Sequence, residues 1–179
     1  MKKVLILLLA LSLTGCSSST KPVASKGEVV DCVDVNHVAA KADDTLLNCL
    51  TGNEKISVES LRGPLIVNVW GSWCGPCKQE MPYFVELNDQ AKDKVKLLGI
   101  AVEEAESQDS KDFIISNGMT WPNLYDAKGI TRANFGMGVP VTWLIDKAGT
   151  VVYKHVGVIN STAELIELTE RNTYKLKTS

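Results

Sequence analysis

The stretch that most constrains this chain is Val67–Pro82, where an apolar run meets a pair of cysteines and then a helical pattern. Residues Leu65–Trp70 are apolar apart from one asparagine, which is typical of a strand buried on both faces. A tight turn follows and carries Cys74 and Cys77. The order of strand, turn and helix predicts that Cys74 lies at the N-terminus of the helix, at the edge of a sheet.

This position favours thiolate chemistry. Unpaired backbone N–H groups and the positive end of the helix dipole converge at a helix N-terminus, where they stabilise a thiolate. We therefore expect a lowered pKa for the Cys74 thiol and a nucleophilic sulfur that solvent can reach. Cys77, one turn later, is near enough to form a disulfide with Cys74 or to resolve a mixed one. Gly75 allows close backbone approach, and Pro76 lacks an N–H where the first helical turn needs none.

The segment Trp73–Cys77, which follows Val67–Trp70, closely resembles the thioredoxin superfamily. Its continuation, Lys78–Pro82, resembles the TlpA/ResA-like membrane-tethered thiol–disulfide oxidoreductases, in which Glu-x-Pro commonly follows the second cysteine. The resemblance runs from about Leu46 to the C-terminus. It implies an α/β, thioredoxin-like fold, with a central mixed β-sheet flanked by helices and an N-terminal β-hairpin extension. The turn signals place that hairpin at Thr45–Val58.

Apolar periodicity and turn residues predict the other elements. We expect three helices, at Pro76–Lys92, at Ser107–Asn117 and from Ser161 onward. A single helical turn is expected at Ile130–Phe135. Further strands are expected at Val95–Val102, Trp121–Asp126, Val141–Asp146 and Val151–His155. The final helix begins with a capping box, in which Ser161 is followed three residues later by Glu164.

Residues 1–15 have the pattern of a lipoprotein signal peptide. Lys2 and Lys3 precede an apolar run that is short for a membrane span, and Leu13–Cys16 matches the bacterial lipobox. Cys16 would then carry the lipid after cleavage. An ordinary signal peptide and a short uncleaved anchor are the alternatives.

The chain then divides into three parts. Residues 16–27 are small and polar, which predicts a flexible tether, and residues 28–45 form an N-terminal segment. Residues 46–179 form the thioredoxin-like domain. This organisation predicts a protein held by a lipid anchor at the extracytoplasmic face of the cell membrane. The net charge of −2 gives no reason to expect nucleic acid as a partner.

Export to an oxidising compartment allows disulfides to persist. Of five cysteines, one is the lipobox cysteine, and the motif pairs Cys74 with Cys77. Cys32 and Cys49 are left, and they allow a structural disulfide, a second redox pair or a metal site that includes His37. We favour the structural disulfide, which would attach the N-terminal segment to the domain. Two thiols and one imidazole are few ligands for a metal, so we expect none.

The resemblance also implies how protons reach the cysteines. Thioredoxin has a buried aspartate at the position of Asn68, and asparagine cannot titrate. We therefore interpret Asn68 as a hydrogen-bonding core residue and expect another group to exchange protons with Cys77. In ResA-like proteins that group is an acidic residue at the end of the next strand. Glu104 fits by spacing, Glu103 is the second choice, and an exposed acidic turn is the alternative; a partly dry carboxyl would have a raised pKa.

The pair Val139–Pro140 resembles the cis-proline loop of the superfamily. Cis geometry would turn the backbone of Val139 toward the cysteines, where it can pair with an incoming peptide as an added strand. Together with Trp73, Gly75 and Pro76, this loop is expected to form the substrate-binding face.

The cysteine pair and the resemblance together predict an extracytoplasmic thiol–disulfide oxidoreductase with no bound cofactor, since the two thiols carry the electrons. The resemblance implies that its substrates are exported proteins with thiols or disulfides, such as apocytochrome c, and that a CcdA/DsbD-type membrane protein donates electrons. Gly-Pro between the cysteines resembles the reducing members. The alternatives are a copper-handling thioredoxin-fold protein and a thiol peroxidase, although the PxxxTxxC signature is missing. Lys78 after Cys77 excludes a CxxCH haem attachment site.

Overall fold

The computed structural model describes residues 26–91, 94–136 and 138–172. The predicted signal peptide, Cys16, residues 16–25 of the predicted tether and the last seven residues of the predicted domain lie outside these ranges. Within the ranges, no helix combines the length and the apolar character needed to cross a membrane.

Seven strands form one mixed sheet in the order β2-β1-β5-β4-β3-β6-β7. Their bounds are Leu46–Cys49 (β1), Lys55–Ser57 (β2), Leu65–Trp70 (β3), Lys96–Val102 (β4), Asn123–Asp126 (β5), Val141–Ile145 (β6) and Val151–Val156 (β7). The three central strands β3, β4 and β5 are parallel, and β6 and β7 continue the sheet antiparallel. The predicted mixed sheet is confirmed.

The helices lie between the strands in the chain order or follow the last strand. Within the described residues they are Gly75–Ala91 (α1), Ser107–Ser116 (α2), Arg132–Phe135 (α3) and Thr162–Asn172 (α4), with a 3-10 turn at Val58–Ser60. Helix α1 packs against both β4 and α4. The expected helices therefore exist, and their ends differ from the predictions by one or two residues.

Strand β3 is central because all six of its residues are buried. Alternate residues of a strand point to opposite faces, so β3 supplies two separate cores. Ile66 and Trp70 pack in the core that contains the apolar face of α1, whereas Val67 and Val69 pack in the core beneath the hairpin. Because β3 is packed on both faces, its position is held firmly. The cysteine turn follows the C-terminal end of this strand.

The N-terminal hairpin is confirmed. Strands β1 and β2 pair antiparallel, and β1 also pairs with β5, so the hairpin extends the central sheet by two strands. At the other end of the chain, Ser161 caps α4 through a hydrogen bond from Glu164 N to Ser161 Oγ (3.1 Å). The second bond of the expected capping box differs, because the Glu164 carboxylate accepts from Asn160 N (2.8 Å).

The part of the chain that packs against the domain begins nearer the N-terminus than the sequence predicts. Gly27 N donates to Ile115 O (3.0 Å), and Glu28 N donates to Met119 O (2.8 Å). A Cβ atom on Gly27 would lie 2.1 Å from Ile114 O, so only glycine permits this approach. The predicted tether of residues 16–27 therefore extends one or more residues too far, because its last glycine is part of the packed domain.

Candidate active site

Cys74 and Cys77 form a disulfide (S–S 2.01 Å) at the junction of β3 and α1. Cys74 directly precedes the helix, and the backbone N–H of Cys77 points at Cys74 Sγ with an N···S distance of 3.1 Å. A helix N-terminal donor is thus aimed at this sulfur. Once the bond is reduced, the same N–H group can stabilise a thiolate on Cys74.

The two sulfurs differ in access to solvent. Cys77 is fully buried, whereas Cys74 keeps 4% of its surface exposed. We expected a more accessible Cys74, but its sulfur is bonded to an enclosed partner, which covers one side of it. Both cysteines are therefore buried in the oxidised protein, and Cys74 is the one of the pair that keeps any exposed surface.

The residues predicted to bind substrate lie in the turn that carries this pair and in the Val139–Pro140 loop. Gly75 and Pro76 are exposed, and Trp73 is 57% exposed although its indole Nε1 donates to Val102 O (3.3 Å). The Val139–Pro140 peptide bond is cis, as the sequence predicts. Trp73 and Val139 line one small cavity of about 30 Å³. The structure thus brings the tryptophan and the cis-proline loop together.

Glu104 is buried and lies against the turn that carries the cysteines. Its two carboxylate oxygens accept from Ser72 N and Ser72 Oγ, each at 2.5 Å. The alternative of an exposed acidic turn is therefore wrong for Glu104, which is 5% exposed. The second choice, Glu103, has a left-handed backbone (φ 55°) and an ion pair with Arg132. Glu104 holds the residue two positions before Cys74, whereas Glu103 is engaged elsewhere.

Sequence reasoning missed a second buried carboxyl, that of Glu80. It is fully buried on α1, three residues after Cys77 and so on the same helix face. Glu80 Oε1 accepts from Asn68 Nδ2 (2.9 Å), and Glu80 Oε2 accepts from Ile159 N (3.0 Å). Burial raises the pKa of Glu80 from its ordinary value of 4.5 to about 7, against the lowering effect of these two hydrogen bonds. Asn68 is a core hydrogen-bonding residue, as interpreted from the sequence.

Cys32 and Cys49 form the second disulfide, with a Cα–Cα distance of 5.9 Å, and both are buried. His37 is exposed, and its ring Nδ1 contacts Val38 O at 3.1 Å. Among the described residues, no three or more His, Cys, Asp or Glu side chains form a group that could hold a metal ion. In this structure both thiols are used in the disulfide, which is the pairing that we favoured from the sequence.

A larger cavity, of about 560 Å³, lies away from the cysteines. It is lined by Leu65 and Lys96, which begin the parallel strands β3 and β4, and by Trp121. The cysteines follow the opposite end of β3. The size of this cavity therefore says nothing about the redox site.

Comparison with known proteins agrees with this geometry. Residues 38–154 match the model of the AhpC/TSA family, over more than half of the chain. The chain belongs to the AhpC/TSA family. Among curated AhpC/TSA-like relatives, thioredoxin-like protein YneN of Bacillus subtilis is 33% identical over 122 residues, which are 66% of this chain and 71% of YneN. Thiol-disulfide oxidoreductase ResA of Bacillus anthracis is 32% identical over 123 residues, 67% of this chain and 70% of ResA.

Solved structures show the same fold. StoA from Bacillus subtilis matches with a TM-score of 0.59 and 29% identity, over 74% of this chain and 100% of StoA. A DsbF homologue from Corynebacterium diphtheriae matches with a TM-score of 0.61, over 84% of this chain and 96% of that one, but at 24% identity it supports the fold alone. The resemblance to thioredoxin-like proteins is confirmed. This AhpC/TSA chain is a thioredoxin-like protein disulfide oxidoreductase.

Proposed function

We propose that the chain exchanges disulfides with exported proteins outside the cytoplasm, and that Cys74 forms the mixed disulfide. In the reducing direction, the Cys74 thiolate attacks one sulfur of a substrate disulfide, and the other substrate sulfur leaves as a thiolate. The Cys77 thiolate then attacks Cys74 Sγ, which releases the second substrate thiol and forms the Cys74–Cys77 disulfide. Two electrons pass from the cysteine pair to the substrate, so no cofactor is needed.

One observation carries this assignment: the Cys77 N–H group points at the sulfur of the more exposed cysteine. The donor that would stabilise a Cys74 thiolate is in place before reduction, so forming the thiolate requires no rearrangement of the helix start. Cys77 is enclosed, so it can react only with a sulfur that is already attached to Cys74.

Glu80 is our candidate for the proton acceptor of Cys77. The Cys77 thiol must lose a proton before it can attack, and the enclosed site excludes bulk water. Glu80 lies one turn along the same buried helix face, and its pKa of about 7 allows it to accept and to release a proton near neutral pH. Glu104, the residue selected from the sequence, is the second candidate. Its contacts with Ser72 favour a positioning role in the turn before Cys74.

The substrate-binding face would consist of Trp73, Gly75, Pro76 and the cis loop at Val139–Pro140. The cis peptide lets the Val139 backbone pair with an extended peptide, and the exposed indole of Trp73, which lines the same small cavity as Val139, offers apolar area next to it. Proteins with exported thiols, apocytochrome c among them, fit such a face. The relatives named ResA and DsbE, a thiol:disulfide interchange protein of Vibrio cholerae, support this substrate class.

The location and the electron donor are part of the same proposal. The lipobox would anchor the chain through Cys16 at the extracytoplasmic face of the membrane, where a CcdA/DsbD-type protein could reduce the pair. Cys16→Ser should move the protein to the soluble fraction, because the lipid would be lost. Unchanged membrane retention in a fractionation experiment would contradict the anchor.

Trapping tests the exchange chemistry directly. Cys77→Ser should accumulate mixed disulfides through Cys74, because nothing resolves them, and mass spectrometry of the partners should identify the substrate. Cys74→Ser is the matched control, and it should trap nothing because Cys77 is enclosed. Equal trapping by both variants would overturn the assigned roles. Peroxide turnover or stoichiometric Cu(I) binding without disulfide reduction would favour the peroxidase or the copper-handling alternative.

A further inference from the structure

One peptide group joins the buried carboxyl of Glu80 to a histidine that the redox chemistry does not use. The peptide bond between Val158 and Ile159 donates its N–H to Glu80 Oε2 (3.0 Å). The carbonyl oxygen of the same peptide, Val158 O, lies 3.4 Å from His155 Nε2. Because the C=O and N–H of a trans peptide point in opposite directions, His155 and Glu80 lie on opposite sides of this group.

The contact is a hydrogen bond when the His155 ring carries a hydrogen on Nε2. A carbonyl oxygen can only accept, so Nε2 must be the donor. Nδ1 is then the atom that gains or loses a proton when the ring titrates. Imidazole is the side chain whose charge ordinarily changes between pH 5 and pH 8. A proton gained there makes Nε2–H a charged and therefore stronger donor to Val158 O.

A polar row on the sheet also connects the two groups. Asn68 on β3 is the register partner of Thr142 on β6, and Thr142 is the register partner of His155 on β7. Register partners project from the same face of a sheet, so this row runs from the Glu80 contact toward the sheet edge. Asn68 Oδ1 and Thr142 Oγ1 are buried without a hydrogen-bond partner in the described parts of the chain.

The other charged groups on neighbouring elements have their own contacts. Glu86 on α1 accepts from Thr162 Oγ1 (2.5 Å), and Glu164 on α4 accepts from Asn160 N (2.8 Å). Lys154, adjacent to His155 in sequence, lies on the other face of β7 with Nζ 5.3 Å from the centre of the Trp143 ring. Cys77 does not titrate while it is disulfide-bonded. His155 is therefore the titratable side chain that the hydrogen-bond chain connects to Glu80.

We infer that His155 is a positioning residue for Glu80. When the His155 imidazole is protonated, its charge acts through the Val158–Ile159 peptide group and favours the ionised carboxylate of Glu80. A charged donor on the carbonyl polarises the peptide and strengthens the N–H bond to Glu80, because hydrogen bonds in a chain reinforce one another. The positive charge adds a direct attraction in a site of low dielectric constant. The coupling of His155 to Glu80 does not depend on the proposed function. Its consequence does: if Glu80 accepts the proton of Cys77, His155 sets the pH range over which it can do so.

Carboxyl NMR of the oxidised full chain, purified in detergent with ¹³C-labelled glutamate, measures the effect. The Glu80 signal is the one missing from Glu80→Gln. His155→Gln keeps an N–H donor that can reach Val158 O but cannot be charged, so it should raise the titration midpoint of Glu80 by about half a pH unit. Lys154→Gln is the matched control, because it removes a neighbouring charge from the opposite face, and it should shift the midpoint by about a tenth of a unit.

Reciprocity supplies a second measurement. If His155 and Glu80 are coupled, Glu80→Gln should move the titration midpoint of the His155 imidazole to lower pH, because the coupling free energy acts on both groups. His37, the other histidine of the chain, is exposed and serves as the internal control whose midpoint should stay unchanged. This measurement requires no variant at His155, so it stands even if His155→Gln does not fold.

The outcomes separate the inference from the proposed function. Equal Glu80 midpoints in the wild type and His155→Gln, or equal shifts in His155→Gln and Lys154→Gln, would overturn the coupling. An unmoved His155 midpoint in Glu80→Gln would do the same. A chain that shows both shifts but traps no partner through Cys74 would keep the coupling and overturn the proposed exchange reaction.

Discussion

Glu80 carries an ionisable group into a part of the core that excludes water. Its two hydrogen-bond donors, Asn68 Nδ2 and Ile159 N, stabilise the carboxylate, yet desolvation outweighs them and the pKa rises to about 7. The carboxyl therefore changes between its protonated and ionised forms near neutral pH. A group with this pKa beside an enclosed cysteine is suited to proton exchange and is costly for the fold when it is ionised.

The cost predicts how stability depends on pH. The folded pKa of Glu80 lies above its ordinary value, so its contribution to stability is complete below about pH 4.5 and is lost as pH rises to about 7. The difference of about 2.5 pKa units corresponds to a loss on the order of 3 kcal/mol. Glu80→Gln cannot ionise, so its free energy of unfolding relative to wild type should rise by that order between pH 4 and pH 8.

Urea denaturation of the oxidised proteins at each pH measures this difference. Glu170→Gln, which alters an exposed glutamate on α4, should leave the difference from wild type flat over the same range. A flat difference for Glu80→Gln as well would show that Glu80 is ionised in the fold at ordinary acidity.

The sequence did contain a signal for Glu80, but a weak one. The buried stripe of α1 comprises Cys77, Met81, Phe84 and Leu87, and position 80 falls within it. The spacing of apolar residues does not distinguish a buried glutamate at this position from one at the border of the exposed helix face. What decides its burial is the Ile159 N–H group, which comes from a loop 79 residues away. By contrast, Cys74 and Cys77 could be found because strand, turn and helix are local features.

At the scale of elements, the N-terminal segment depends on the second disulfide. Cys49 ends β1, which pairs with both β2 and β5, whereas Cys32 lies in a segment with little regular structure. That segment is also bonded to the sheet by a bridge between Val30 and Pro122. The disulfide therefore attaches a weakly bonded segment to the outer part of the sheet.

Removing both cysteines should destabilise the fold without touching the redox pair. Their separation of 17 residues gives an expected loss of about 3 kcal/mol for Cys32→Ala combined with Cys49→Ala, in the chain-entropy model. Urea denaturation under non-reducing conditions measures it, with Cys74 and Cys77 kept bonded. Val33→Ala, in the same segment but 65% exposed, should change stability by about 0.5 kcal/mol or less. A loss in the double variant no larger than that of Val33→Ala would show that the bridge carries no stability.

Element ends show where sequence patterns stop being sufficient. The strand predicted at Trp121–Asp126 begins at Asn123, because Pro122 has no N–H to donate and Trp121 packs into the core. Apolar character alone could not separate a buried residue before a strand from one inside it. Strand β3 has its predicted bounds, since a continuous apolar run is bounded by Pro64 and Gly71.

At the scale of the whole molecule, Asn123 connects parts of the fold that are distant in sequence. Its Oδ1 accepts from Trp70 Nε1 (3.0 Å), its Nδ2 donates to Trp121 O (2.7 Å), and its main-chain oxygen accepts from Leu50 N (2.8 Å). Asn123 therefore connects the C-terminal end of β3, which precedes the cysteine turn, to the hairpin. Such convergence depends on the assembled sheet, so no local pattern around position 123 could predict it.

Gly99 on β4 provides the space for this junction, and filling that space should be damaging. A Cβ atom at position 99 would lie 1.7 Å from Asn123 Oδ1 and 2.8 Å from Trp70 Nε1, so Gly99→Ala must separate a buried donor from its acceptor. We expect a loss on the order of 3 kcal/mol, from overpacking and from leaving a buried polar group unpaired. Gly138→Ala is the control, because its Cβ meets no atom within 4 Å, and it should be nearly neutral.

Both variants can be compared by urea denaturation of the oxidised chain. Trp70 is the last residue of the strand that leads into the cysteine turn, so its displacement should also change the reduction kinetics of the Cys74–Cys77 bond. If Gly99→Ala is as stable as Gly138→Ala, the Trp70–Asn123 contact is not a constraint on the fold. The cysteine turn would then be positioned by β3, by α1 and by the contacts of Glu104 with Ser72, without a contribution from this junction.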